Sequence, residues 1–470
     1  MKAIYFLRFK TIGLLFVSLL SSSVLHAQTW TAMVNAQGFD GQVLSLYADS
    51  ANNVLYAGGE FTTVDGVTVN GIAKWDGTKW SAMGDGFGGS SPYVFWITKY
   101  KNEIYAGGPF TVSGADTMNG IAKWNGTKWE AVGGSMTFPS ISTSQHYVAA
   151  MYEFNNELYV GGYFDSVGTI NAKNIAKWNG TTWSHVGTET NDAILVIKSH
   201  NNELYIGGFF VFAAPMGFQY RIAKLNGNTF ETVGSKGLGD ASTRWSVETI
   251  VNYKGELYAG GYFNVLESGS VTANHIAKWD GTSWSVVKGL GSGVASTSVN
   301  PVRSLVEYNG LLYVGGQFFA AGQVAAPNLA TWDGANWKNA DLGTDGIINS
   351  MTVWNGNLVV AGGFTKAGGQ DHQYIVKFND ATGVGSVEVE EQFAVYPNPV
   401  NGNTLRVCTN RKYEKMDYQL YDITGQMIIW GTVSENATVA LPSSVPAGNY
   451  FIKLQTDEGT YGVKQINIIR

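Results

Sequence analysis

A unit of about fifty residues recurs seven times in this chain. Its clearest copy reads Val302-Arg303-Ser304-Leu305, then Leu311-Leu312-Tyr313-Val314-Gly315-Gly316, then Leu329-Ala330-Thr331-Trp332-Asp333-Gly334, then Trp337. Glycine pairs mark the copies: Gly58-Gly59, Gly107-Gly108, Gly161-Gly162, Gly207-Gly208, Gly260-Gly261, Gly315-Gly316 and Gly362-Gly363. The apolar runs are short, rich in Val, Ile, Tyr and Trp, and parted by Gly-Gly or Asn/Asp-Gly. That is the grammar of strands and hairpins, and helical periodicity is nearly absent. Asp-Gly and Asn-Gly supply the positive φ of tight hairpins. The Gly-Gly pair is expected to admit a bulge or a close backbone approach. Four strand-like pieces at this period specify a closed ring of blades rather than a solenoid.

The seventh copy stops at Phe378-Asn379-Asp380, with no fourth piece behind it. The missing piece stands near the other end, where Thr29-Trp30-Thr31-Ala32-Met33 matches Lys79-Trp80-Ser81-Ala82-Met83. The expectation is an all-β chain: a seven-bladed β-propeller over residues 28–381, closed by an N-terminal strand, which removes an open sheet edge. Eleven of the fifteen Trp fall on repeat positions, so they are assigned to packing between blades. With its apolar run, Gly-Gly and downstream Trp, the unit resembles the repeats of kelch and galactose-oxidase-like propellers. That resemblance implies an architecture, not an activity, because such rings include binding proteins and enzymes. The Trp-Asp pairs at 75–76 and 279–280 lack the Gly-His element and the shorter period of WD40 repeats.

The chain opens with Lys2, Arg8 and Lys10, an apolar run from Ile12 to Leu20, and small residues up to Ala27. This reads as a secretory signal peptide, residues 1–27, cut between Ala27 and Gln28. After that cut no transmembrane segment is expected. The single cysteine, Cys408, excludes an intramolecular disulfide, so the fold rests on its own core. A net charge of −6 with no basic run argues against a nucleic-acid partner.

After Asp380 the grammar changes. Residues 382–392 read as a linker, and residues 393–470 as a small Ig-like β-sandwich with period-two alternation. Its segments are Phe393-Ala394-Val395-Tyr396-Pro397-Asn398-Pro399, Tyr418-Gln419-Leu420-Tyr421-Asp422-Ile423-Thr424-Gly425, Pro446-Ala447-Gly448-Asn449-Tyr450 and the closing Val463-Lys464-Gln465-Ile466. In order and place they resemble the type A C-terminal sorting domain of the type IX secretion system of Bacteroidota. The resemblance implies that the secretion machinery is a partner through 393–470. It also implies that the domain is cleaved, and that the product is secreted or attached to the outer-membrane surface.

Function is sought among side chains that break the repeat near the loops of one face. These are Trp96, Tyr147, Tyr220, Arg221, Arg244, Trp245 and Arg303, with Phe87, Tyr93, Phe138, His146, Phe212, Phe218 and His275 as further off-pattern groups. Aromatic rings with a few polar partners suit a sugar or peptide, and arginines can fork onto a carboxylate or sulfate. The expected activity is binding of glycan or extracellular protein without catalysis. The alternative is a carbohydrate-active hydrolase or lyase with its site over the channel, which predicts a tight polar cluster there. Two enzyme classes fit poorly. The Ser-x-Asp box of sialidases is missing, and a galactose-oxidase copper site has no cysteine in the ring. No cofactor is expected; structural calcium on Asp40, Asp192, Asp240 or Asp345 is compatible with the loops.

Overall fold

The computed structural model describes residues 27–469 except 36, 135, 138–145, 188, 215–216, 241–244, 268–270, 290, 297–300, 341–342, 382–392, 410–414, 424–425, 435–436 and 457–460. Residues 1–26 of the expected signal peptide and the whole expected linker therefore lie outside the described residues, as do Phe138 and Arg244. Among the described residues every regular element is a strand.

Seven four-stranded antiparallel sheets account for the repeats. Sheet one holds Val43–Asp49, Val54–Gly59, Ile72–Trp75 and Trp80–Ala82. Sheets two to six repeat this order, with first strands Trp96–Tyr100, Tyr147–Phe154, Ile194–His200, Ser246–Tyr253 and Ser304–Tyr308. Sheet seven holds Ile348–Trp354, Asn357–Gly362 and Ile375–Ala381, and takes Ala27–Ala32 as its outermost strand. In that strand Trp30 lies opposite Phe378, with ring centroids 4.8 Å apart. The first strands touch in chain order, and that of sheet seven touches that of sheet one. The arrangement is circular and propeller-like.

The glycine pair divides two jobs. A Cβ on the first glycine would stand 2.3–2.7 Å from a Val or Ile of the next sheet: Val94, Val148, Ile194, Val247, Val302 or Ile348. A Cβ on the second would stand 2.0–2.2 Å from a carbonyl oxygen ahead of or within its own first strand, such as Tyr147 O for Gly162. The first glycine thus lets sheets pack, and the second lets the bulged strand fold over. The seventh copy corrects the sequence alignment. Ser350 pairs with Ala361 and Ile348 with Gly362, so the functional pair is Ala361-Gly362 and Gly363 falls one place late.

The tryptophans do more than pack. Trp80, Trp129, Trp183 and Trp284 each donate Nε1–H to a carbonyl of the preceding sheet's outer edge: Met33, Met83, Val132 and Val233, at 2.6–3.0 Å. Trp80 reaches Met33, just past the N-terminal strand, and so bonds sheet one to sheet seven. In the hairpins the Asp-Gly signal works as expected: Asp76 Oδ1 accepts from the Thr78 and Lys79 amides at 2.8 and 2.9 Å, and Gly77 takes φ +103°.

One tier was not legible beforehand. Between the second and third strands of six sheets sits a two-residue-per-arm hairpin, such as Thr63–Val64 with Val67–Thr68. Sheet four lacks it, because Glu203–Ala214 and Gly217–Asn226 simply run long. Loops joining the sheets pair onto these hairpins, as Phe39 does with Val64 and Gly88 with Val112. The tier buries apolar rings, including Phe39 against Phe61 and Phe87 against Phe110.

Residues beyond 392 form a three-stranded and a five-stranded sheet around one core that includes Val400, Leu405, Leu420, Ile452 and Ile466. Tyr421 and Phe451 of this unit meet Phe319 in the hairpin tier of sheet six, with centroids at 4.5 and 5.9 Å.

Candidate functional site

Each first strand carries one residue more than its partner. The extra residue is Leu44 in sheet one, Ala149 in three, Leu195 in four, Glu248 in five and Asn349 in seven. Phe95 and Arg303 occupy the same place in sheets two and six, where their amides bond to Gly107 and Gly315 oxygens at 2.8 and 2.9 Å. Sheets one to four thus bring Leu44, Phe95, Ala149 and Leu195 to the rim of the ring's centre. Sheets five to seven bring Glu248, Arg303 and Asn349.

Glu248 is the group that sequence reasoning missed. Its signal was available: a glutamate stands where four other copies carry an apolar residue. Its side chain is 6% exposed, and Arg303 Nη1 lies 3.2 Å from Oε2, an ion pair short of an aligned hydrogen bond. The Ser246 hydroxyl donates to Oε1 at 2.9 Å. Burial pushes the Glu248 carboxyl up, with Arg303 and Ser246 acting against it. Arg303 itself is 34% exposed, so the guanidinium is the member of the pair that meets solvent.

Tyr147 opens the first strand of sheet three. Its hydroxyl is pushed up to about 12, mainly by burial, with Asp192, Tyr163 and Glu248 adding to the rise and Arg303 opposing it. Tyr147 thus feels the charges of Glu248 and Arg303, which stand two and three sheets further round the ring. Phe95 lies edge-on to Tyr147 at 5.5 Å, and Tyr93 lies 6.5 Å from Phe95. His146 is buried and stacked on Tyr163 at 5.3 Å.

Arg221 and Trp245 border this cluster. Arg221 is 5% exposed and its Nη1 donates to the Phe209 carbonyl, while Nε has no hydrogen-bond partner. Burial lowers its pKa, and Asp192 and Asp240 oppose that. Trp245 is half-buried, donates to Asp240 at 2.8 Å and tilts against Tyr262 at 5.0 Å. Two predicted residues do not converge here. Trp96 pairs with Gly107 and packs into the core between sheets two and three. Tyr220 is buried, and its backbone bonds to Lys236 and Leu238.

The aspartates divide as well. Asp40 accepts from the Thr62 and Thr63 amides at 2.8 and 2.9 Å, and Asp345 from the Thr365 and Lys366 amides at 2.8 Å, so both anchor the hairpin tier. In sheet four Asn191 fills that role by accepting from Val211, which leaves Asp192 one place later and outside the pattern. Among the described residues no three His, Cys, Asp or Glu side chains gather as metal ligands. No described helix is long and apolar enough to cross a membrane.

Residues 394–469 match the family model described as the secretion system C-terminal sorting domain. No curated protein matches the chain. The chain therefore carries a C-terminal sorting domain of the type IX secretion system, which supports its export by that route.

Proposed function

We propose that the seven sheets are the blades of a kelch-like propeller over residues 28–381, and that it binds glycan or protein outside the cell through the rim of its central channel. The sorting domain would be removed after export, leaving the ring released or attached to the cell surface. One observation carries the binding reading: the Glu248–Arg303 ion pair, whose charges reach Tyr147, stands at positions the repeat does not need. Of this ion pair, Arg303 is the member that presents its charge to solvent, because Ser246 and Arg303 enclose the Glu248 carboxyl. Such a carboxyl holds a binding group in place better than it reaches a substrate.

A second reading has its own support. A glutamate with a raised pKa beside Tyr147 and Arg303 is the polar cluster that a carbohydrate-active enzyme requires. Incubating the full chain with an array of glycans and extracellular proteins separates the two. Retention of a ligand that stays intact supports binding. New reducing ends or unsaturated sugars would instead establish a hydrolase or a lyase.

A further inference from the structure

The rim of the channel is two-sided. Leu44, Phe95 and Leu195 are partly exposed apolar groups on one arc. Glu248, Arg303 and Asn349 form the other. Asn349 is engaged in closing the ring, since its Nδ2 donates to the Val43 oxygen at 3.2 Å. Arg303 remains, tethered on one side to a buried carboxylate and one third exposed on the other. The planar guanidinium holds its donors in a fixed fork, so an anchored arginine presents a pre-aligned pair to a carboxylate. Across the centre, Tyr93, Phe95 and Tyr147 make a wall of rings at successive centroid distances of 6.5 and 5.5 Å.

We propose that Arg303, positioned by Glu248 and set across the channel from Tyr147, binds the carboxylate of a uronic-acid residue in an acidic polysaccharide. The proposal rests on the binding reading and names its ligand class. A sugar has one flank of C–H groups, which covers an aromatic face at little entropic cost, and a carboxylate at its edge. The charge around the rim selects against more highly charged chains. Among the described residues Arg221 and Arg303 are cations of this neighbourhood, and Asp192, Asp240 and Glu248 are carboxyl groups of it. Those described groups hold no excess of cations, and the whole chain carries −6. A polysulfated or polyphosphorylated partner needs such an excess; one carboxylate on one guanidinium fork does not.

The test is calorimetric titration of the full chain with oligogalacturonate, oligoguluronate, the same oligosaccharides after carboxyl reduction, and a sulfated oligosaccharide of equal length. At least one uronate is expected to bind, with its reduced form at least tenfold weaker. Arg303→Lys keeps the charge but loses the fork, and is expected to weaken uronate binding about tenfold with an unchanged melting temperature. Glu248→Ala is expected to weaken it too, and the double variant to be no weaker than Arg303→Lys alone. That non-additivity marks Glu248 as acting through Arg303, whereas a merely structural loss would add. Equal affinity for the reduced oligosaccharide overturns the proposal, and this holds even if a variant fails to fold. Binding of neutral or sulfated glycans or of a protein, with no uronate bound, also overturns it but leaves the binding reading standing. If no glycan or protein binds at all, both fail.

Discussion

At the scale of single residues, one position recurs with left-handed backbone in all seven copies, just before the third strand or, in sheet four, inside it. Gly71, Gly120, Asn174, Arg221, His275, Asn328 and Tyr374 all take positive φ there. The carbonyls of six of them accept from the second glycine position, as Gly71 does from Gly59 at 3.0 Å. Gly and Asn suit left-handed backbone, and Asn174 adds a bridge by accepting from Phe164 and donating to Thr190. His275 makes no such bridge: its Nδ1 has no hydrogen-bond partner, and burial brings its pKa down to about 4 against a bond to the Phe263 backbone. The unfolded state then binds the proton first, so between about pH 6.5 and 4 stability falls as pH falls, by at most about 3 kcal/mol. His275→Asn is expected to raise the melting temperature, and to do so more at pH 5 than at pH 7.5. Equal gains at both pH values would count against the assignment. The sequence could not show this strain, because the repeat tolerates five residue types at one conformation.

At the scale of elements, pairing and turns were legible and the hairpin tier was not. Strand runs and Asp-Gly turns announce themselves by local chemistry. The matching of Trp30 with Trp80 announced the borrowed strand, even though its partner lies at the far end of the repeat array. The two-residue arms of the hairpin tier are too short for period-two alternation to register. That tier explains why Phe87 is buried against Phe110 rather than offered to a ligand. The borrowed strand has a measurable weight. Its removal uncovers the Ile375–Ala381 edge and leaves the Trp80 indole N–H without its Met33 acceptor. Deleting residues 28–36 is expected to lower the unfolding free energy by several kcal/mol and to promote aggregation through the bared edge. A truncated ring that melts like the full chain would contradict the role given to this strand.

At the scale of the molecule, the candidate site is drawn from sheets that are far apart in sequence. Tyr147 and Arg303 could be picked out singly as departures from the repeat. Their mutual influence across sheets three to six follows only from the way the sheets are arranged round the ring. Glu248 was passed over because, taken alone, a glutamate in a strand reads as a solvated face. The contact of Phe319 with Tyr421 and Phe451 is likewise a product of the whole chain. Ala295, Ala320 and Ala325 join these rings in one small apolar cluster among the described residues. The covalent tether holds the two parts together by raising their effective concentration. Cutting the chain within 382–392 is therefore expected to separate ring and sorting domain on gel filtration. Co-elution at micromolar concentration would show a stronger interface than these rings provide.

Closure also imposes a schedule. Ala27–Ala32 is made before any other part of the ring, yet its partner Ile375–Ala381 is made last. Until the two meet, the sheets form an arc with two raw ends, and the centre they surround does not exist. For an exported chain this delay sets the interval during which it must be kept from other chains. A site at that centre would be complete only once the two strands pair.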